Sequence, residues 1–411
     1  MSIISLTTAR SLALYAQGLL QPPAAPASKA DVLATIRRIG ALQIDTIHVV
    51  ARSPYFSLWS RLGTYNPGWL DQLLAEGAIF EYWSHAASFL PIEDYPYYRR
   101  LMLDGRYRFW HSYHDWYFDH QEEVDAILAY VREHGAVKSA DFERKDGRRG
   151  TWWNFKIEKD ALIHWFTIGE LMIARRENFQ RVYDLRERVL PGWDDDGRVP
   201  GHEDTLRALA LKSIAAMGIA RPAWVADYFR LPKDAVKTCL RELKERGEIR
   251  EVGVEGWAEP ALIPAGSDLL LQEAMDGALQ ATTTTFLPPF DSLIWDRNRT
   301  RQLFHFDYVL ECYLPVPKRV YGYFLLAILH RGELVGRLDA KANRQAGQFE
   351  VKALYLEEGI IPDDELVCAI AGALVRCAAW HRTPRIVVLK TVPDTLLPRL
   401  EQALASPLEA G

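Results

Sequence analysis

From residue 204 to residue 264 the chain spells three helices followed by a hairpin. Leucines and alanines recur at helical spacing over 204–217; a short helix, 220–228, is entered through Arg221-Pro222; and 232–246 reads as a third, amphipathic helix. Two strand-like runs, 248–252 and 257–263, follow around Gly253 and Gly256. That order is the winged-helix plan, an elaboration of the helix-turn-helix. It recurs upstream, with a helix over 121–134, a short second one in GAVKSADFE, a third over 156–167, and a hairpin from 170–176 and 179–185. A degenerate third copy opens the chain: helices near 6–20, 28–41, 46–61 and 67–75, then the strand-like IFEYW and ASFLP, with QPPAAPAS as a connector.

Beyond Thr282 the character turns to β. FDYVLECYLPV, YGYFLLAILHRG, ELVGRLDAKANR and GQFEVKALYLEEG read as a meander with turns at Pro317, Gly332 and Gly347, and a helix over 363–380 and the strand RIVVLK close it. The fold expected is therefore α+β: winged-helix units over 1–118, 119–200 and 201–281, then a β-rich domain with a terminal helix over 282–411.

Composition excludes several classes. No stretch approaches the apolar length of a membrane span, and the opening residues lack the pattern of a secretory signal, so a cytoplasmic protein is expected, on the nucleoid when bound to DNA. Cys239, Cys312, Cys368 and Cys377 form no CxxC pair, which argues against zinc and disulfides. The net charge of −5 speaks against indiscriminate nucleic-acid binding, yet between Arg297 and Arg344 nine basic residues face four acidic ones. The histidine-containing FWHSYHDWYFDH, with His111, His114, Asp115 and His120, is read as packing and not as a metal site; no metal or cofactor is expected.

Gln43 and Asp45 bracket Ile44 where one helical run hands over to the next. By spacing alone the Asp reads as an N-cap and the Gln as a solvated helix end. LQIDTI, VARSPY, FEYWSHAASFLP, NFQRVYDL, LPPFDSLIWDR, LECYLPVPKRVYGYF and LVGRLDAK carry a further signal: with them the whole chain resembles the AlkZ/YcaQ family of bacterial DNA glycosylases that unhook interstrand crosslinks, the YcaQ branch more closely. The resemblance implies three tandem winged helices around a basic concave surface and a catalytic Gln-apolar-Gln or Gln-apolar-Asp motif. Gln43-Ile44-Asp45 places this chain in the aspartate subgroup, the one acting on nitrogen-mustard-type crosslinks and N7-alkylpurine monoadducts.

The chemistry is consistent. An N7-alkylated purine already carries positive charge, so it departs without a general acid, and one carboxylate suffices to stabilise the oxocarbenium-like sugar and polarise water while an amide holds that water. A monofunctional, monomeric glycosylase acting on double-stranded DNA with alkylated or cross-linked purines is expected, with Asp45 and Gln43 catalytic. Expected DNA contacts are Arg52, Ser53, Tyr82, His85, Arg297, Lys318, Arg319, Tyr321 and Arg337. Arg297 and its neighbours Asp296 and Arg299 read equally as an internal ion-pair network, Lys341 extends the basic band, and Arg148 and Arg149 suit either phosphate contact or a solvated loop. The alternative is a non-enzymatic winged-helix transcriptional regulator, which predicts sequence-specific affinity indifferent to a change at Asp45.

Overall fold

The computed structural model describes residues 2–23, 26–105, 116–142 and 157–406. They form two compact units, one of residues 1–66 and 210–411, the other of 67–209. The secondary structure mixes helix and strand, as expected for an α+β chain.

The first unit opens with strand β1 (Ile3–Ile4), helix α1 (Leu6–Gln17), helix α2 (Lys29–Ile39), the short strand β2 (Leu42–Gln43) and helix α3 (Ser53–Leu62). Ser5 caps α1 by accepting from the Thr8 N–H, and Ser28 and Asp31 cap α2 reciprocally. The sequence pattern of 204–264 appears as helices His202–Met217, Pro222–Tyr228 and Lys233–Glu245 followed by the antiparallel strands Ile249–Val254 and Ala261–Pro264. β1 adds to this hairpin in parallel, Ile3 opposite Gly253. Gly218, at φ +71, permits a close crossing: a Cβ there would lie 2.4 Å from the Leu12 carbonyl oxygen.

The β-rich part of this unit is a six-stranded sheet. Its edge strand, Thr284–Leu287, pairs antiparallel with Leu325–His330, which pairs with Glu333–Asn343, which pairs with Gln348–Leu356; Arg385–Val388 and Thr391–Val392 then run parallel to the last. The expected strand FDYVLECYLPV is instead an irregular segment with two turns of 3₁₀ helix, Glu311–Tyr313 and Val316–Lys318, because prolines at 315 and 317 remove ladder donors. Its place at the sheet edge is taken by the threonine-rich Thr284–Leu287. Three helices without a counterpart in the sequence pattern, Asp268–Met275, Arg297–Phe304 and Leu396–Ala405, join the expected Asp364–Trp380 in this unit.

α3 is the element that positions the site. Its C-terminal end is pinned by a fully buried, two-pronged ion pair: Arg61 donates to both oxygens of Asp291 at 2.6 and 2.9 Å and to the Gln17 carbonyl at 2.7 Å. Trp59 stacks between Phe286 and Trp380, with ring centroids at 6.2 and 5.9 Å. Directional bonds and aromatic packing thus fix the helix against the sheet.

In the second unit, helices Gln121–His134 and Ile157–Ile168 and the hairpin Leu171–Glu177 with Gln180–Leu185 reproduce the expected middle pattern, its second helix reduced to a 3₁₀ turn at Ser139–Asp141. Ile79–Trp83 and Ala87–Pro91 form a second antiparallel hairpin. Glu81, buried in it, is held by Arg176 at 2.8 Å and Arg181 at 2.6 Å.

Candidate active site

Residues 44–52 are not helical, so α3 starts at Ser53 and not near 46 as the sequence suggested. β-branched Thr46, Ile47, Val49 and Val50 resist the helix, and Pro54 both biases Ser53 away from its interior and suits a first turn. Asp45 accordingly caps nothing. Its carboxylate accepts the Ile47 backbone N–H at 2.8 Å, closing a local turn ahead of the helix.

That carboxylate is in tension with its surroundings. Burial raises its pKa above the ordinary aspartate value, against the lowering effect of the Ile47 and Thr46 backbone donors and of the Arg52 charge. Gln43, two residues earlier, is partly buried, and its side-chain oxygen has no hydrogen-bond partner among the described residues. In a folded protein such an oxygen is a group awaiting a donor.

The loop is tied to the sheet. The Ala342 N–H donates to the Val49 carbonyl at 3.0 Å and the Arg344 guanidinium to the Val50 carbonyl at 2.5 Å. Arg52 and Arg344 repel: Arg344 is lowered by burial and then by the Arg52 charge. His48 feels both arginines and, chiefly through burial, is pushed down to about 4, so it is neutral at physiological pH. His48 and Arg344 were not on the expected list of site residues; Arg344 was visible only as one cation in the basic band.

A second segment converges on Asp45. Burial, followed by the Asp45 charge, raises the Cys312 thiol. Tyr313 is 74% exposed, an unusual state for so large a ring. The segment's shape depends on Glu311, whose one carboxylate oxygen accepts the N–H groups of Val320, Tyr321 and Gly322, each at 3.0 Å. Glycine is needed at 322, where φ is +153 and a Cβ would fall 2.3 Å from an Asp339 oxygen.

The expected DNA contacts divide. Lys318 is exposed on the Val316–Lys318 turn, and Arg319 donates to the Leu314 carbonyl at 2.9 Å while covering the Tyr323 ring. Tyr321 is half-buried. Arg52 is part-exposed at the N-terminal edge of α3. Four others have internal surroundings that their spacing did not show. Ser53 is fully enclosed at the start of α3. Arg337 is 3% exposed, clamped by Glu357 at 2.7 Å between the rings of Phe306 and Tyr321, where it braces the 306–323 segment. Arg297 donates to the carbonyls of Ile294 at 2.6 Å and Pro289 at 2.9 Å and lies over Tyr308. Tyr82 is 1% exposed, its hydroxyl donating to the Thr167 carbonyl inside the second unit. Arg337, Arg297 and Tyr82 are engaged by internal partners, which sequence spacing does not reveal, whereas the buried Ser53 hydroxyl has no hydrogen-bond partner among the described residues.

His85 lies on the turn between Ile79–Trp83 and Ala87–Pro91, partly exposed. Arg148, Arg149, His111, His114 and Asp115 lie outside the described residues. His120 turns Nδ1 to the Trp116 carbonyl at 3.0 Å and stacks on that ring. Among the described residues no group of three His, Cys, Asp or Glu is arranged to hold a metal ion, and no helix is long and apolar enough to cross a membrane.

A half-buried carboxylate, an amide oxygen without a donor and cations spaced around them suit chemistry in which positive charge develops on a substrate. The protein is of the DNA glycosylase class: a family model described as DNA glycosylase AlkZ-like matches residues 36–380. The chain belongs to that AlkZ-like family. Its fold is similar to that of Streptomyces sahachiroi DNA glycosylase AlkZ, at 13% sequence identity and a TM-score of 0.63, over 95% of this chain and 100% of that one.

Proposed function

We propose that this chain is a monofunctional glycosylase that hydrolyses the N-glycosidic bond of N7-alkylated purines and unhooks nitrogen-mustard-type interstrand crosslinks, with Asp45 and Gln43 at the chemical centre. The observation that carries this reading is Asp45 itself: a carboxylate held by backbone donors, raised by burial and, among the described residues, not locked into an ion pair. Its ionised form is disfavoured in the ground state and gains most when a cation forms beside it.

As the bond to the cationic base lengthens, the electron pair leaves with the base and the sugar becomes oxocarbenium-like. Asp45 stabilises that charge and takes a proton from the attacking water, and the Gln43 oxygen accepts the water's other hydrogen. The segment from Leu42 to Ser53 contains no lysine to act as an amine nucleophile, which supports the monofunctional reading. Tandem winged-helix units, with Arg52, Lys318 and Arg319 toward the phosphates and His85 and Tyr321 as further contacts, would carry an intact duplex across an open site. A crosslinked base cannot be swung into a deep pocket.

Purified protein is expected to release N7-methylguanine from methylated duplex DNA, read by mass spectrometry of the freed base, and to unhook a mustard-crosslinked duplex on a denaturing gel. Full release by a folded Asp45→Asn variant would remove the catalytic assignment; release without unhooking would confine the substrate to monoadducts.

A further inference from the structure

The far end of α3 borders a cavity of about 610 Å³. That volume falls in the range of small-molecule sites, roughly 300–1,000 Å³. Trp59 and Ser60 of α3, the threonine run around Thr283 and Thr284, and Cys368 and Arg376 of the helix Asp364–Trp380 line it. No Asp or Glu is among its lining residues.

Two wall residues carry unsatisfied polar atoms. The Trp59 indole N–H and the Thr283 hydroxyl have no hydrogen-bond partner among the described residues, although Trp59 is only 3% and Thr283 only 5% exposed. Leaving such a group buried and unpaired costs on the order of 1–3 kcal/mol. The cavity's cation, Arg376, is exposed; it donates to the Thr284 carbonyl at 3.1 Å and pairs with no carboxylate among the described residues. A wall with one positive charge and no negative one selects negative charge.

We propose that this cavity binds a small organic anion, its carboxylate or phosphate at Arg376. Nothing in this proposal depends on glycosylase activity, so the two stand or fall separately.

Cys368 provides a local reporter, because its thiol is exposed and lines the cavity. Its alkylation by iodoacetamide, followed by peptide mass spectrometry in the full chain, is titrated with citrate, inorganic phosphate and a short undamaged duplex. Citrate or phosphate is expected to slow Cys368 at least about fivefold in a saturable manner, leaving Cys312 unaffected, and Arg376→Gln to weaken that protection about tenfold. Should Arg376→Gln fail to fold, Ala369→Asp places a negative charge on the same wall and is expected to abolish protection. Absence of saturable protection by either small anion, protection undiminished in the folded variant, or protection by the duplex alone would overturn the proposal.

Discussion

Glu81 and Asp45 are both carboxylates drawn out of water, and the protein treats them in opposite ways. Glu81, its side chain fully enclosed, is gripped by Arg176 and Arg181 within one unit; the Arg181 guanidinium is raised in turn by the Glu81 charge, in spite of its burial. Asp45 receives backbone N–H donors and the through-space influence of Arg52, and burial still raises its pKa. The first arrangement spends the negative charge on holding two strands and a hairpin together. The second leaves it unspent and available to a cation from outside. What separates a structural carboxylate from a reactive one here is the number of fixed positive partners, not the degree of burial.

The comparison breaks most severely at Glu81. Glu81→Gln leaves Arg176 and Arg181 facing each other across a neutral amide, and a loss of about 3–5 kcal/mol in stability is expected, read as a lower denaturant midpoint. An unchanged midpoint would mean that the two arginines find other partners. Asp45→Asn should invert the pattern, with excision falling by about 10²–10³-fold and folding retained. Gln43→Ala is expected to be milder, about tenfold in excision, since one hydrogen bond to water is lost and the buried unpaired oxygen goes with it.

Much of this was legible beforehand. The helix-hairpin order of 121–185 and 204–264 came through because amphipathic periodicity and glycine turns are local properties, and the Gln43-Ile44-Asp45 motif was visible as a motif. What remained hidden depends on contacts distant in sequence. The 44–52 loop reads as helix until its carbonyls are seen to accept from Ala342 and Arg344. FDYVLECYLPV reads as a strand until Glu311 is seen collecting three backbone donors from nine to eleven residues away. Arg337 and Tyr82 read as DNA contacts because their types suit DNA, and Arg297 reads equally as a contact or as part of an internal network; the fold shows carbonyls, a carboxylate and aromatic rings around them.

A smaller effect tests whether Asp45 is held in an unfavourable state. Its folded pKa is raised, so folding favours the protonated form, and the ionised group lowers stability at pH above its folded pKa. That penalty fades as pH falls through the folded value and is gone below the ordinary aspartate range. Asp45→Asn, which imitates the neutral acid and keeps an oxygen for the Ile47 N–H, should therefore have a higher Tm than the native chain at neutral pH, with the two curves meeting in acid. A variant less stable at neutral pH would show that the ionised carboxylate has a structural role resembling that of Glu81.

The smallest effect separates exposed from enclosed cations in and beside the 306–323 segment. Lys318 is exposed and Arg337 is braced by Glu357, so only the first can release a counterion from a phosphate. Lys318→Ala should reduce the slope of log affinity against log salt by about 1, with Tm unchanged. Arg337→Gln should leave that slope alone and lower Tm, because the Glu357 carboxylate and the faces of Phe306 and Tyr321 lose the group between them. Equal salt slopes in the native chain and Lys318→Ala would move the phosphate contacts away from this lysine, toward Arg52 and Arg319.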